Sequence, residues 1–396
     1  MGTRRLYEED AYLTEFDARV IAVRRDGWAA LDRSAFYPTS GGQPHDTGLL
    51  ICGDTEARVT DVEAAEGLVW HRLDRPLAEN TPVHGAVDWE RRLDHMQQHA
   101  ADHMLAGAAW QQLGGVTIGL HTGREDSSID MRLPDGRTRL TDAEIDALED
   151  VVNRRVQRDD PIRCWFPAAE ELPRLPLRKP PTVQEHVRVV AMGDYEMVPC
   201  GGTHPSSTGQ IGPVKILSCA PARGNMRLSF VAGMRAIRYF QETARCARAV
   251  AAALSCGVSE APCALQRERE SAAEQRREAG KRLLQAALTV LQAKRQGDLY
   301  RAHLAFADPE TLLRAALEIV KHDRAVALLS CPRGEERHVV FARGSSVEAD
   351  MAALMRQCGA RGGGKRDLAQ GTAADGGALQ RAAEALARHL TQISDS

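Results

Sequence analysis

Four side chains in this sequence are spaced as if to hold one ion. His99 and His103 stand four residues apart in His99-Ala100-Ala101-Asp102-His103. On an α-helix that spacing puts both imidazoles on one face. Cys200 and His204 share it in Cys200-Gly201-Gly202-Thr203-His204, where two glycines let the backbone fold tightly enough to aim thiol and imidazole at one point. Three imidazoles and a thiolate suit Zn²⁺, which takes nitrogen and sulfur ligands in tetrahedral geometry. The His-x₃-His spacing alone is a weak signal. Joined to the Cys-Gly-Gly-Thr-His turn, it reads as one zinc ion per chain. All four residues closing on the metal would make a structural site, and three with an open position a catalytic one. Two features favour catalysis. The ligands come from distant segments, unlike local zinc knuckles, and a Gly41-Gly42-Gln43 loop offers bare amides and a carboxamide to a small substrate. A plain β-turn is the competing reading of that loop. A zinc-protease reading is poor, because Ala100 stands where His-Glu-x-x-His places its general base. His95 is read as supporting a ligand or lying on the surface, with a swap for His99 left open. Asp102 is expected at a solvated position.

The elements that must position these groups are legible as patterns. The histidine helix is expected over 91–113, with Asp94 as its cap. Before it, apolar runs at 16–23 and 28–31 flank an Asp26-Gly27 hairpin signal, and 59–62 and 68–73 repeat the pattern. They suggest a small antiparallel β-barrel-like domain over residues 1–90. After the helix come a strand at 127–133, a capping box Thr141-Asp142-Ala143-Glu144 opening a helix to about 157, a proline-broken loop at 172–181, and strands at 187–191, 214–217 and 227–231. This alternation describes an α+β zinc-binding domain over 91–235. Residues 236–297 read as a long helical hairpin, a spacer or dimer arm. Cys256 and Cys263 at its tip have no further ligand nearby. A Gly-rich α/β domain is expected over 298–396, with a helix started by Asp308-Pro309-Glu310 and strands at 325–331 and 338–342. Its Gly362-Gly363-Gly364-Lys365-Arg366 run could present amides and charge to a phosphate, although the Walker A order is missing. The fold class is therefore α+β and multidomain.

Composition bounds the partners. The 396 residues are 43% hydrophobic and 27% charged with a net charge of −3, which argues against a generally cationic nucleic-acid binder but leaves room for local basic patches. Nine irregularly spaced cysteines do not look like a disulfide framework. The N-terminus has no apolar signal core, and no stretch approaches the ~20 apolar residues of a membrane span, so a cytoplasmic location with no membrane partner is expected.

These motifs together resemble a known family. Residues 34–48, the segment Val87-Asp88-Trp89-Glu90-Arg91-Arg92 leading into His99 and His103, and 200–204 followed by Thr208-Gly209-Gln210-Ile211-Gly212 look like the editing domain of alanyl-tRNA synthetases. The C-terminal Gly-rich run resembles the small domain that ends those synthetases. With no room upstream for a class II aminoacylation core, the chain is similar to the free-standing AlaX editing proteins in their long form. The resemblance implies zinc-dependent hydrolysis that removes serine, and sometimes glycine, from alanine tRNA. It implies His99, His103, Cys200 and His204 as zinc ligands and Gln43 as a pocket residue. Ser34 stands where the family has a Thr that touches the serine hydroxyl. Gly41, Gly42 and Thr203 would bind substrate, and Gly364, Lys365 and Arg366 would bind tRNA at its elbow. Arg223, Arg227, Arg235 and Arg238 are candidates to face the acceptor stem. A homodimer through the C-terminal half is expected from the hairpin. The physics fits, since a small apolar pocket cannot strongly reject one added hydroxyl, and a second site that recognises the hydroxyl then clears the error. A non-catalytic tRNA-binding protein with structural zinc is the alternative. A zinc hydrolase acting on a small free ester is a third reading, disfavoured by the RNA-like C-terminal run.

Overall fold

The computed structural model describes residues 2–181, 183, 185–374 and 376–394. Met1, Asp395 and Ser396, which the expected first and last domains include, lie outside the described residues. The chain divides into two compact units, Met1–Ala247 and Arg248–Ser396.

In the first unit six strands close into a barrel in the order Glu15–Arg24, Trp28–Leu31, Leu68–Leu73, Thr55–Ala65, Gly48–Cys52, Pro82–Val87. Closure leaves no unpaired sheet edge. Gly27 turns the first hairpin with φ +87°, in the left-handed region that the Asp-Gly signal anticipates. Val20, Leu31, Phe36, Leu50, Val59 and Val69 fill the interior.

The Trp89–Leu113 helix follows directly. It starts two residues before the expected 91, and its cap is Asp88, which accepts the Arg91 N–H at 3.2 Å, not Asp94. Asp94 is instead held by Arg235. The helix buries nearly every residue from His95 to Ala109. Its small side chains Ala100, Ala101, Ala108 and Ala109 let neighbours approach closely, and the core there is completed by Ile129, Met131, Leu148, Val152, Val190, Met192, Leu228 and Phe230. Those residues come from the Asp142–Arg158 helix, the four-stranded sheet Val214–Ala222, Asn225–Ala232, Ser127–Arg132, Val116–Thr122, and the three-stranded sheet Ile162–Trp165, Val189–Met192, Glu196–Pro199. Thr141 and Glu144 form the expected capping box, worth about 1 kcal/mol. The last strand, Glu196–Pro199, has no counterpart in the sequence reading. It delivers the chain into the Cys200 turn.

In the second unit a five-stranded sheet runs Leu299–His303, Val326–Arg333, Glu336–Arg343, Leu368–Ala373, Arg361–Gly364. One face packs Leu312, Ala315 and Ala316 of the Pro309–Ile319 helix with Ala287 and Leu291 of the Ala261–Ala293 helix. The other packs Met351, Leu354, Ala378 and Ala382. Asp308 caps the Pro309–Ile319 helix through the Thr311 N–H at 2.7 Å. Among the described residues, no helix is long and apolar enough to cross a membrane.

Candidate metal centre

The structure brings His99, His103, Cys200 and His204 together, with their ligand atoms all within 4.8 Å of one another. His99 and His103 project from one face of the central helix. Cys200 Sγ lies 3.4 Å from His99 Nε2 and 3.4 Å from His204 Nε2. His95 does not join them. It is buried on the same helix beside a separate cavity lined by Arg91, Arg124, Arg235 and Arg238.

Two of the ligands, His99 and Cys200, are held by partners. Gln43 Oε1 accepts from His99 Nδ1 at 2.8 Å and from the Thr203 N–H at 3.1 Å, while its Nε2 donates to Thr203 Oγ1 at 2.7 Å. The amide N–H of Thr203 fixes which end of the carboxamide is oxygen. His99 Nδ1 must therefore carry the proton, which leaves Nε2 as the free lone pair turned toward Cys200. Gln43 and Thr203 are both fully buried. Arg188 clamps the turn by donating to the carbonyls of Cys200 at 3.1 Å and Gly202 at 2.7 Å. A Cβ on Gly202 would lie 2.1 Å from His99 Cε1, so only glycine permits this approach.

The Gly41-Gly42-Gln43 loop is fastened to the helix by a buried ion pair that the sequence did not reveal. Arg92 is fully enclosed, and its Nε donates to both carboxylate oxygens of Asp46, at 3.1 and 3.0 Å. It also donates to the carbonyls of Ala11 at 2.7 Å and Ala35 at 2.6 Å. Gly42, at φ +85°, accepts from the Thr122 N–H and lies so close to Leu120 that a Cβ would meet its carbonyl at 2.7 Å.

Burial decides the protonation of the cluster. It pushes His99 down to about 3, helped by the Arg188 and Lys179 cations, and holds His103 and His204 well below the usual imidazole range. All three are thus neutral, the form that ligates metals. Burial pushes the Cys200 thiol up to about 11, partly offset by the Gly202 N–H. A bound cation reverses that cost by stabilising the thiolate. The Nδ1 atoms of His103 and His204 are buried without a hydrogen-bond partner. Three neutral imidazoles and a thiol converging in this way fit a metal ion.

A cavity of about 360 Å³ opens beside the cluster, lined by residues that include Tyr37, Gly41, Asp102, Thr117, Arg178 and Lys179 together with His99, His103 and Cys200. Asp102 is not solvated as expected: the packing of the central helix leaves it 6% exposed. Burial raises its carboxyl to about 7 against the opposing pull of Arg178 and Lys179. Arg178 is itself paired with the buried Glu196 at 2.7 Å. Ser34 is absent from the cavity lining. It is fully buried, 2.8 Å from His71 Nε2. Arg227 and Arg235, expected toward an RNA, are engaged by Asp130 and Asp94.

In the second unit the Gly-rich run is an exposed edge strand, not a loop of free amides. Gly362 pairs with Gly371 and Gly364 with Ala369. Lys365 and Arg366 sit in the exposed turn that follows.

Residues 187–228 match the family described as threonyl and alanyl tRNA synthetase second additional domain. Residues 11–91, which contain the barrel strands, match the family described as tRNA synthetases class II (A). The alanine–tRNA ligase of Pyrococcus furiosus is 33% identical over 97% of this chain and 43% of its own length. That of Pyrobaculum neutrophilum is 34% identical over 98% of this chain and 44% of its own. The C-Ala domain of Aquifex aeolicus alanyl-tRNA synthetase is 21% identical over 22% of this chain and 86% of its own, with a TM-score of 0.21. The chain is thus similar to alanine–tRNA ligases along nearly its whole length, and it spans less than half the length of the curated relatives it matches.

Proposed function

We propose that this chain hydrolyses the ester of wrongly charged alanine tRNA, removing serine and, in second place, glycine. The observation that carries the reading is the buried three-histidine, one-cysteine cluster beside a small polar cavity, in a chain related to alanyl-tRNA synthetases along nearly its full length. His99, His103, Cys200 and His204 would hold zinc, the divalent ion this donor set suits best. When bound, zinc supplies Lewis acidity at the reacting ester. The chain's own residues do the rest. Gln43 holds the tautomer of His99, Arg188 fixes the turn, and the cavity admits an aminoacyl group of a few heavy atoms. An aminoacyl ester is intrinsically labile, so modest assistance suffices.

The Lys365-Arg366 turn would give the second unit an electrostatic grip on RNA phosphates. Replacing Lys365 by Ala should weaken tRNA binding uniformly and reduce its salt slope by about 0.9, with stability unchanged. An unchanged slope would remove this turn from the interface.

The reading is tested by deacylation of serine-, glycine- and alanine-charged alanine tRNA. Fast release of serine with alanine spared is expected, and a folded His103→Ala protein should lose both zinc and turnover. A His103→Ala protein that is folded and fully active would instead point to a zinc-independent reaction. Bound zinc with no hydrolysis of any substrate would favour the tRNA-binding alternative.

A further inference from the structure

Two residues that line the cavity beside the metal ligands each carry a polar atom that the protein leaves without a partner. Asp102, one residue before His103 on the central helix, lines it with its Oδ1 buried and unpaired. Thr117, on the Val116–Thr122 strand, lines the same cavity with its Oγ1 likewise buried and unpaired. Buried polar groups nearly always find partners, because leaving one unpaired costs about 1–3 kcal/mol. Two such atoms, on residues from different elements that line one small cavity, match a group that both donates and accepts. An alcohol is such a group: its O–H can donate to the carboxylate while its oxygen accepts from the threonine hydroxyl.

The residue that the family resemblance assigns to this task is occupied elsewhere. His71 Nδ1 lies 3.1 Å from the Ala29 carbonyl, which can only accept, so Nδ1 carries the imidazole proton. His71 Nε2 must then accept the Ser34 hydroxyl proton, while Ser34 Oγ accepts the Phe36 N–H at 3.1 Å. Ser34 thus has its proton and a lone pair engaged in the barrel interior.

We propose that Asp102 and Thr117 form the hydroxyl-recognition pair of this site, selecting a seryl group over alanyl and glycyl groups. The proposal rests on the aminoacyl-ester reading above. The α-ammonium of the same substrate is the competing ligand for Asp102. Lys179 already lines the cavity and disfavours a further cation there, whereas a neutral hydroxyl meets no such repulsion. An alanyl group would leave both atoms unpaired, and sites built to hydrogen-bond a hydroxyl reject analogues lacking it far more strongly than apolar pockets reject an added one.

The test measures binding, so that it does not depend on turnover. Hydrolysis-resistant 3′-amide-linked seryl-, alanyl- and glycyl-adenosine are titrated calorimetrically into the zinc-loaded full chain, with zinc content and Tm recorded for each variant. The wild type should prefer the seryl analogue. Thr117→Val, which keeps the side-chain shape, should reduce the seryl-over-glycyl preference by roughly 10- to 100-fold, with zinc retained. Thr117→Ser should restore it, and Asp102→Asn, which keeps an acceptor oxygen but loses the charge, should reduce it less than Thr117→Val does. Equal losses for all three analogues would assign the pair to the shared ammonium or ester and overturn the proposal. So would loss of zinc in Thr117→Val, or a wild type without seryl preference. Seryl preference in a protein that hydrolyses no charged tRNA would uphold the pair and sink the hydrolase reading alone.

Discussion

Two glycine-rich stretches look alike in this sequence and do opposite work in the structure. In Cys200-Gly201-Gly202-Thr203-His204 the missing side chain makes room for a ligand, since a Cβ on Gly202 would stand inside the His99 ring. In Gly362-Gly363-Gly364 it makes room for backbone. A Cβ on Gly362 would meet the Gln370 carbonyl at 2.3 Å, and one on Gly364 the Leu368 carbonyl at 2.2 Å, across the paired strands. The first stretch is surrounded by buried polar groups, among them Gln43, Thr203 and His99, that hold one another. The second is exposed along its length and ends in two cations. A run of glycines therefore signals close approach without saying what approaches, and the neighbouring elements decide.

Three substitutions sharpen this contrast, from the largest effect to the smallest. Asp46→Asn breaks the ion pair that fastens the barrel loop to the central helix and leaves Arg92 buried without its counter-charge. It should cost about 3–5 kcal/mol, read from denaturant unfolding. A loss below about 1 kcal/mol would mean that the two carbonyl contacts of Arg92, to Ala11 and Ala35, suffice without the carboxylate. Gly202→Ala should displace His99 and weaken zinc binding by about 10- to 100-fold, measured by competition with a chelator. Undiminished affinity would show that the turn relaxes away from the ring. Gly363→Ala, in open space, should change stability by no more than about 0.5 kcal/mol. A larger loss would indicate that this glycine, too, is needed for strand pairing.

Local spacing was legible in the sequence. The His99–His103 and Cys200–His204 pairs, the Thr141 capping box, the Asp308 cap and the Gly27 hairpin are each written within a few residues, and the structure shows each pair or signal in place. What stayed hidden depends on partners distant in sequence. Arg92 and Asp46 are ordinary surface-type residues until the loop packs on the helix. Arg188 gives no local sign that it will clamp the ligand turn. Asp94 has the chemistry of a cap, but the helix begins earlier because Asp88 directly precedes Trp89 and can reach the Arg91 amide. Asp102 looked solvated because charged residues usually are, and its burial follows from elements joined to the helix only by the fold. Ser34 was assigned by family position, and its hydroxyl is claimed by His71, distant in sequence but on the strand that pairs directly with Trp28–Leu31.

The central claim is that the four clustered side chains bind zinc and that hydrolysis depends on it. The most direct test is to strip the full chain of metal, add zinc back in steps, and follow bound zinc and seryl-tRNA(Ala) deacylation in the same samples. The account requires activity to rise in proportion to zinc and to level off at one ion per chain. Full activity in the metal-free protein, or saturation with zinc and no activity at any step, would contradict it.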